Sequence, residues 1–343
     1  MLTIYSDSHR LHHGHGELIF GELRPCFEKP VRADMILERV RAAALGEVRA
    51  PTDFGSAPLV RVHAPDYVQF LETAWDQWSQ LGYQHDALPM SWPVHGLRND
   101  RPPTHIEGKV GYYAFDAGAP ITAGTWEATR QSANVALTAA SALNSGVRSA
   151  FALCRPPGHH AGKRWMGGYC YLNNAAIAAQ YLRDAGAKRV AILDVDQHHG
   201  NGTQDIFYDR SDVLFVSIHA DPLIDYPFFL GHADETGTGA GEGYNLNIPL
   251  PQGTPWSAYD AALQQALQRI KEFAPDALIV SLGVDTFEQD PHSKLKLAAG
   301  DFSTLGERIS QLKLPTVFAM EGGYAVEELG ANAVNVLLGF EQA

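Results

Sequence analysis

The chain has 343 residues, of which 45% are hydrophobic and 19% are charged, a composition that is typical of globular proteins and excludes a disordered chain. Lys and Arg total 26 against 39 Asp and Glu, which gives a formal net charge of −13. So acidic a protein is unsuited to coating nucleic acid or an anionic membrane, and its field favours cationic partners.

Helical and strand-like segments alternate along the chain. Apolar residues recur at helical spacing in seven segments, at 32–45, 66–81, 125–143, 173–185, 259–273, 303–312 and 326–338. Short uninterrupted apolar runs lie at 149–154, 189–195, 213–218, 277–282 and 315–320. This alternation predicts a parallel sheet covered by helices on both faces, in one domain over residues 1–343.

Residues 82–120 depart from this alternation. They are rich in Pro, His, Gly and Arg and have no long apolar periodicity, as in LPMSWPVHGLRNDRPPTHIEG. Loops this long inside a compact domain are usually functional or disordered. We interpret the region as an insertion within the domain, with a linker between two domains as the alternative.

Cysteine usage and the N-terminal sequence bear on the cell compartment. Cys26, Cys154 and Cys170 are too few and too widely spaced for a disulfide framework or a Cys-rich zinc site. The opening residues, MLTIYSDSHRLHHGHGE, lack a basic region followed by an apolar run, and no stretch has the roughly 18 apolar residues of a membrane span. We expect a soluble cytoplasmic protein.

Polar side chains follow all five predicted strands. The first strand runs into RPPGHH, the second into DVDQHHGNG, the third into SIHAD, the fourth into GVD and the fifth into EGGY. Ligands of parallel sheets bind at the carboxyl ends of the strands. The polar side chains at these five strand ends are therefore predicted to converge on one binding site.

The second of these strand ends predicts a metal site. Asp194, Asp196 and His198 would point to one side of an extended chain, because strand side chains alternate. Carboxylates and a neutral imidazole suit Zn²⁺, and Asp285 after another strand is the natural third protein ligand. Asp194 is expected to support the site rather than bind metal. The alternative is that the two aspartates cap a helix that starts near Thr203.

Two other strand ends could supply acid–base and oxyanion chemistry. His159 and His160 follow a Pro-Pro-Gly turn, and a histidine beside a metal can take a proton from water and return it to the leaving group. Tyr324 follows a Gly-Gly pair, and its hydroxyl could donate to a developing oxyanion. The alternative for Tyr324 is a packed aromatic side chain.

These motifs together resemble those of the histone deacetylase superfamily. RPPGHHA, DVDQHHGNGTQDIFY, SLGVDTFEQDP and MEGGY occur in the family's order, and VHAPDYVQFLETA extends the match towards the N-terminus. Within the superfamily, GELRPCFEKPVRAD, IEGKVGYY, GAPITAGTWEA and GGYCYLNNAA are most similar to bacterial acetylpolyamine amidohydrolases. The resemblance implies an arginase–deacetylase fold, a three-layer α/β/α structure with a mostly parallel eight-stranded sheet. It also implies removal of acetyl groups from small cationic N-acetylated polyamines or diamines.

The resemblance further implies roles for individual residues. Zn²⁺, with Fe²⁺ or Co²⁺ as substitutes, would bind to Asp196, His198 and Asp285. His160 would be the general base and then the acid, and Tyr324 would polarise the acetyl carbonyl. The remaining implied positions are His159 for electrostatic support with Asp194 behind it, Asn201 behind His160, and a structural K⁺ held by Asp194, Asp196, His198, Ser217 and Ile218. Implied substrate-binding residues are Gly168, Tyr169 and Tyr226 in the tunnel wall and Glu17 and Glu107 for the amine.

The family pattern also suggests a homodimer, in which residues 82–120 form part of the interface and narrow the active-site mouth. Four cationic or titratable residues depart from the pattern: Lys163, Arg164, His292 and Lys294. If they line the mouth they would repel a long polycation, so smaller acetylated diamines would be preferred to acetylspermine. Three other readings are a protein acetyl-lysine deacetylase, an arginase-like hydrolase with two Mn²⁺ ions, and a catalytically silent amine-binding protein.

Overall fold

The computed structural model describes residues 1–343. Its strands are β1 Leu2–Ile4, β2 Glu17–Ile19, β3 Glu22–Arg24, β4 Val48–Arg49, β5 Ser149–Ala152, β6 Val190–Asp194, β7 Val213–Ala220, β8 Asn245–Leu250, β9 Ala277–Leu282 and β10 Thr316–Met320. Its α-helices are α1 Val31–Ala42, α2 Pro65–Ser79, α3 Ile106–Tyr112, α4 Thr125–Asn144, α5 Asn174–Asp184, α6 Asn201–Phe207, α7 Trp256–Phe273, α8 Asp301–Ser310 and α9 Val326–Gln342. None of the helices combines the length and the hydropathy that a membrane crossing needs.

Eight strands form one sheet in the order β4-β1-β5-β10-β9-β6-β7-β8. All neighbouring pairs in this sheet are parallel, whereas β2 and β3 form a separate antiparallel hairpin. The predicted α/β fold is thus confirmed. Four neighbouring strands, β5, β10, β9 and β6, carry four of the five predicted polar ends, and in a parallel sheet these ends share one edge.

Helices cover both faces of the sheet and create two hydrophobic cores. On β6, Ile192 packs into the core that contains α2, α4 and α5, while Ala191 and Leu193 pack into the core that contains α1, α7, α8 and α9. Because each central strand is buried on both faces, both sets of alternating residues are apolar. This is the physical origin of the uninterrupted apolar runs in the sequence.

The structure contains elements that the sequence patterns do not predict. The five predicted strands and seven predicted helices are present, with bounds that differ by a few residues. The unpredicted elements are β1, β4, β8, the β2–β3 hairpin and α3, whereas α6 is the helix expected near Thr203. Residues 82–120 are not a featureless loop, because they contain α3 and because Ala87 and Ile121 exchange two backbone hydrogen bonds of 2.9 and 3.1 Å that close the base of the segment.

Candidate active site

Three side chains from two strand ends meet as a potential metal centre. Asp196 and His198 follow β6, Asp285 follows β9, and their ligand atoms all lie within 4.8 Å of one another. His198 Nδ1 is 3.2 Å from Asp196 Oδ1 and 3.0 Å from Asp285 Oδ2. Asp285 Oδ2 is buried, and its approach to His198 Nδ1 does not have hydrogen-bond geometry, so this oxygen accepts no hydrogen bond. A buried carboxylate oxygen without a partner is costly, so this donor set fits one divalent cation with a position left for a further ligand.

The backbone holds both carboxylates in place by close approach. Gly322 N donates to Asp196 Oδ2 at 2.8 Å, and Gln197 N donates to Asp285 Oδ1 at 2.9 Å. A Cβ on Gly283 would lie 2.0 Å from Asp196 Oδ2, and a Cβ on Gly322 would lie 2.6 Å from both carboxylates. Only glycine therefore fits at these two positions, because a Cβ atom would collide with the carboxylate oxygens. The segments that follow β6, β9 and β10 together fix the positions of the candidate metal ligands.

His159 and His160 both point into the site, each with a different partner behind it. His159 Nδ1 lies 3.0 Å from Asp194 Oδ2, and His160 Nδ1 lies 2.7 Å from Asn201 Oδ1. Since both partners are oxygen acceptors, each Nδ1 carries the proton. His160 Nε2 is then left with a lone pair that can accept a proton.

The two imidazoles have opposite electrostatic surroundings. Burial lowers the pKa of His160 well below its ordinary value, and the neighbouring His159 adds to this effect. Burial opposes protonation of His159 as well, but the carboxylates of Asp196 and Asp194 outweigh it and raise the pKa of His159 to about 10. A cation bound by Asp196 would offset part of that rise, which leaves Asp194 as the main support for a charged His159. The pair thus combines a neutral base with a neighbouring cation.

Glu321 is a functional residue that the sequence reasoning did not assign. Its Oε2 accepts hydrogen bonds from Gly158 N at 2.7 Å and His159 N at 3.1 Å, and it is fully buried. Burial raises the pKa of Glu321 to about 7. This carboxylate holds the turn that presents the histidine pair. The only sequence signal was its place at the start of the EGGY motif.

Tyr324 reaches the same site from the segment after β10. Its backbone N–H donates to Asp290 Oδ2 at 2.6 Å. Its ring packs edge-on against His292, with 4.8 Å between ring centroids, and against Tyr169, with 5.6 Å between centroids. Gly323 has φ +130°, which only glycine adopts readily. The turn and the packing together fix where the phenol points.

His159, His160, His198 and Tyr324 line a cavity of about 330 Å³. Of the predicted site residues, those on its wall are Glu17, His159, His160, Gly168, Tyr169, His198, Tyr226 and Tyr324. Two carboxylates on the wall, Asp116 and Asp225, were not predicted as site residues. Asp116 Oδ2 accepts hydrogen bonds from the Tyr226 hydroxyl at 2.7 Å and from Gly168 N at 3.0 Å. It therefore joins two parts of the tunnel wall.

Other predicted substrate residues lie outside this cavity. Glu107, on α3, is exposed and accepts a hydrogen bond of 2.5 Å from the Tyr83 hydroxyl. Lys163 and Arg164 pair with surface aspartates, at 3.4 Å to Asp209 in the case of Lys163. Lys163 and Arg164 therefore do not contribute to the expected repulsion of long polycations. His292 and Lys294 do line the cavity.

The residues predicted to hold K⁺ lie beside the metal segment. Asp194 and Ser217 are register partners on β6 and β7. Ser217 Oγ lies 2.8 Å from His219 Nδ1. The potassium site stays a prediction from the family pattern.

Comparisons of the sequence and the structure with known proteins identify the family to which the chain belongs. Residues 26–340 match the histone deacetylase domain. The chain is 63% identical to acetylpolyamine amidohydrolase 2 of Pseudomonas aeruginosa and 51% identical to acetylpolyamine amidohydrolase of Mycoplana ramosa, with 99% of each chain covered in both cases. The crystal structure of acetylpolyamine aminohydrolase from Burkholderia pseudomallei matches with a TM-score of 0.94 at 43% identity, over 99% of this chain and 98% of that one. The chain therefore belongs to the histone deacetylase family and is a deacetylase.

Proposed function

We propose that the protein is a zinc-dependent amidohydrolase that removes acetyl groups from small N-acetylated polyamines or diamines. The relatives named as acetylpolyamine amidohydrolases support this substrate class. The observation that carries the proposal is the grouping of Asp196, His198 and Asp285, the last with a buried unpaired oxygen, next to a cavity that His160 and Tyr324 line. The same donor set would accept Fe²⁺ or Co²⁺ as a substitute.

The chain's own residues account for proton movement and charge stabilisation. When bound, the zinc ion would supply Lewis-acid chemistry that polarises the acetyl carbonyl and acidifies the attacking water. His160 Nε2 takes the proton of that water, because its Nδ1 proton is held by Asn201. His159, backed by Asp194, places a positive charge beside the developing negative charge. The Tyr324 hydroxyl donates to the oxyanion, and His160 then protonates the departing amine.

The charges on the cavity wall support recognition of an amine. Glu17, Asp116 and Asp225 line the cavity, and Lys294 is the one lysine or arginine among the residues that do so. Burial raises the pKa of all three carboxyls, and hydrogen bonds to each carboxylate oppose that rise. An ammonium group in the cavity would favour their ionised forms. A substrate with a free ammonium at the end remote from its acetyl group therefore fits this wall.

The test is acetate release by the purified zinc-loaded protein. The panel contains acetylputrescine, acetylcadaverine, acetylspermine and an acetyl-lysine peptide, each with and without a chelator. We expect turnover of the free acetylated amines that the chelator abolishes, and no turnover by Asp285→Asn. A preference for the peptide would instead assign the alternative function, a protein acetyl-lysine deacetylase. Absence of turnover of every substrate would contradict the proposal. A measured content of two metal ions per chain would instead favour an arginase-like hydrolase.

We also propose a homodimer whose interface lies near the cavity mouth. Phe20 on the hairpin turn, Met90 in the insertion and Phe229 are 93%, 89% and 84% exposed, which is unusual for large apolar side chains. Phe20 lines the cavity itself. Burial of these side chains against a second copy would narrow the mouth and could bring the partner's 82–120 segment to it. Light scattering after size exclusion tests the mass, and a monomer at micromolar concentration would contradict the proposal.

We also propose a structural K⁺ site and a cytoplasmic location. Structural K⁺ would bind to carbonyl oxygens of the metal segment and to Ser217 and Ile218. Isothermal calorimetry with K⁺, using Na⁺ as the control ion, tests that site. A cytoplasmic location is favoured by the three cysteines, which are all free thiols.

A further inference from the structure

Gln197 lies between two of the metal residues in sequence, yet its side chain is directed to different partners. It is fully buried. Its Nε2 donates to Asp225 Oδ2 at 3.0 Å and to the His292 carbonyl at 2.7 Å. Its Oε1 accepts from Ser293 Oγ, Lys294 N and Leu295 N, at 3.1, 2.7 and 3.2 Å. Both ends of one amide are therefore saturated by two loops that are remote in the chain.

Both of these loops form part of the cavity wall. Asp225 and the adjacent Tyr226 come from one loop, and His292 and Lys294 come from the other. The two loops are 28 and up to 98 residues from Gln197 in sequence, and both lie outside the helices and strands. Gln197 thus connects the metal segment to both of these wall loops.

We infer that Gln197 is a positioning residue, which sets the spacing of the amine-binding part of the cavity relative to the metal centre. Its backbone N–H also bonds Asp285 Oδ1 at 2.9 Å, so the same residue touches the metal site and the wall. Asp225, His292 and Lys294 line the cavity wall, and none of them is a metal ligand or a group proposed to act on the acetyl carbonyl. Loss of the amide would therefore weaken substrate binding more than the chemical step. This inference deepens the proposed function and rests on it for its kinetic test.

The chain offers a matched control in Gln204. Gln204 is also buried, and its Oε1 accepts from Asn245 Nδ2 at 2.9 Å and Asn247 Nδ2 at 2.8 Å. Its Nε2 donates to Glu235 Oε2 at 2.7 Å. None of these partners lines the cavity. Gln204→Leu therefore removes a comparable buried amide without releasing the wall.

The kinetic experiment compares Gln197→Leu with Gln204→Leu in the zinc-loaded protein. We expect Gln197→Leu to raise KM for acetylputrescine about tenfold or more, with kcat within about threefold of wild type and with unchanged zinc content. Gln204→Leu should lower thermal stability to a similar extent but leave KM within about twofold. Equal effects of the two variants on KM would overturn the inference, because Gln197 would then be merely structural.

A second measurement needs neither a variant nor activity. Lys294 N–H and Leu295 N–H belong to an irregular segment, and their protection from hydrogen exchange depends on Gln197 Oε1. Exchange of these two amides in the wild-type protein should be slowed at least about a hundredfold relative to an unprotected loop. Fast exchange would overturn the inference even if Gln197→Leu fails to fold. If the wild type turned over no acetylated amine while these amides were protected, the proposed function would fail and the positioning role would stand.

Discussion

Replacing Glu28 with Gln should destabilise the protein substantially, because Glu28 is the single carboxylate in a buried network with two arginines. Glu28 Oε1 lies 2.9 Å from Arg32 Nη1 and 2.8 Å from Arg155 Nε, and Glu28 Oε2 lies 2.8 Å from Arg155 Nη2. Arg32 in turn donates to the carbonyls of Glu321 and Gly323, at 2.6 Å each. The network therefore supports the segment that leads to Tyr324.

The size of the effect follows from the pKa of Glu28. Burial opposes ionisation, but Arg155 and Arg32 outweigh it and lower the pKa of Glu28 from 4.5 to about 2. A difference of about 2.5 units corresponds to about 3 kcal/mol of the free energy of unfolding, at about 1.4 kcal/mol per unit. Breaking a buried ion pair typically costs about 3–5 kcal/mol, which agrees with this figure. Glu28→Gln should therefore lose about 3 kcal/mol at pH 7.

The assay is urea unfolding of wild type and Glu28→Gln between pH 7 and pH 3. Because the folded-state pKa is depressed, the contribution of Glu28 is fully present above pH 4.5 and is lost as the pH falls towards 2. The difference between the two proteins should be constant from pH 7 to pH 5 and shrink below pH 4.5. Glu22→Gln is the matched control, since Glu22 pairs with Arg24 at 2.6 Å on the surface and should change stability by less than about 1 kcal/mol. A loss of less than about 1 kcal/mol in Glu28→Gln at pH 7 would refute the reasoning.

Three further predictions concern the active site. Tyr324→Phe should lower kcat by about 10²–10³ while zinc content, measured by atomic absorption, stays unchanged; near-normal kcat would remove the hydroxyl from its proposed role. Gly283→Ala should abolish stoichiometric zinc binding, because the new Cβ would lie 2.0 Å from Asp196 Oδ2, and full zinc occupancy in a folded variant would contradict this. Wild type should have a higher kcat/KM for acetylputrescine than for acetylspermine, and Lys294→Ala should raise the value for acetylspermine about fivefold by removing roughly 1 kcal/mol of repulsion; equal values for both substrates in wild type would argue against repulsion by Lys294.

The sequence was most informative where burial forces a pattern. The runs that became β5, β6, β7, β9 and β10 are predominantly apolar because both faces of each strand are buried. By contrast, β1 and β4 have three and two residues, too few for any periodicity to show. The strand β8, NLNIPL, contains two buried asparagines and a proline, which obscure its strand character.

The convergence of the candidate site residues could be predicted from the sequence for a related reason. His159, Asp196 and Tyr324 follow recognisable strand ends, so the parallel topology alone brings them to one edge. Asp116 and Asp225 are single carboxylates in irregular segments, where no spacing separates a wall residue from a solvated one. Their role depends on contacts such as the hydrogen bond from Tyr226 to Asp116, made across 110 residues of chain. Such contacts are fixed by tertiary packing and leave no local trace.

The position of β10 in the sheet has a consequence for biosynthesis. Strand β10, which comes last in chain order among the strands of this sheet, lies between β5 and β9 in the middle of the sheet. Until it emerges from the ribosome, both neighbouring strands present an unpaired edge, and the Gly322 N–H that holds Asp196 is missing. Folding of the centre of the sheet must therefore wait until residues 316–322 have been made. Chains that stall before residue 316 would be candidates for chaperone capture or degradation, and they would have no partial activity.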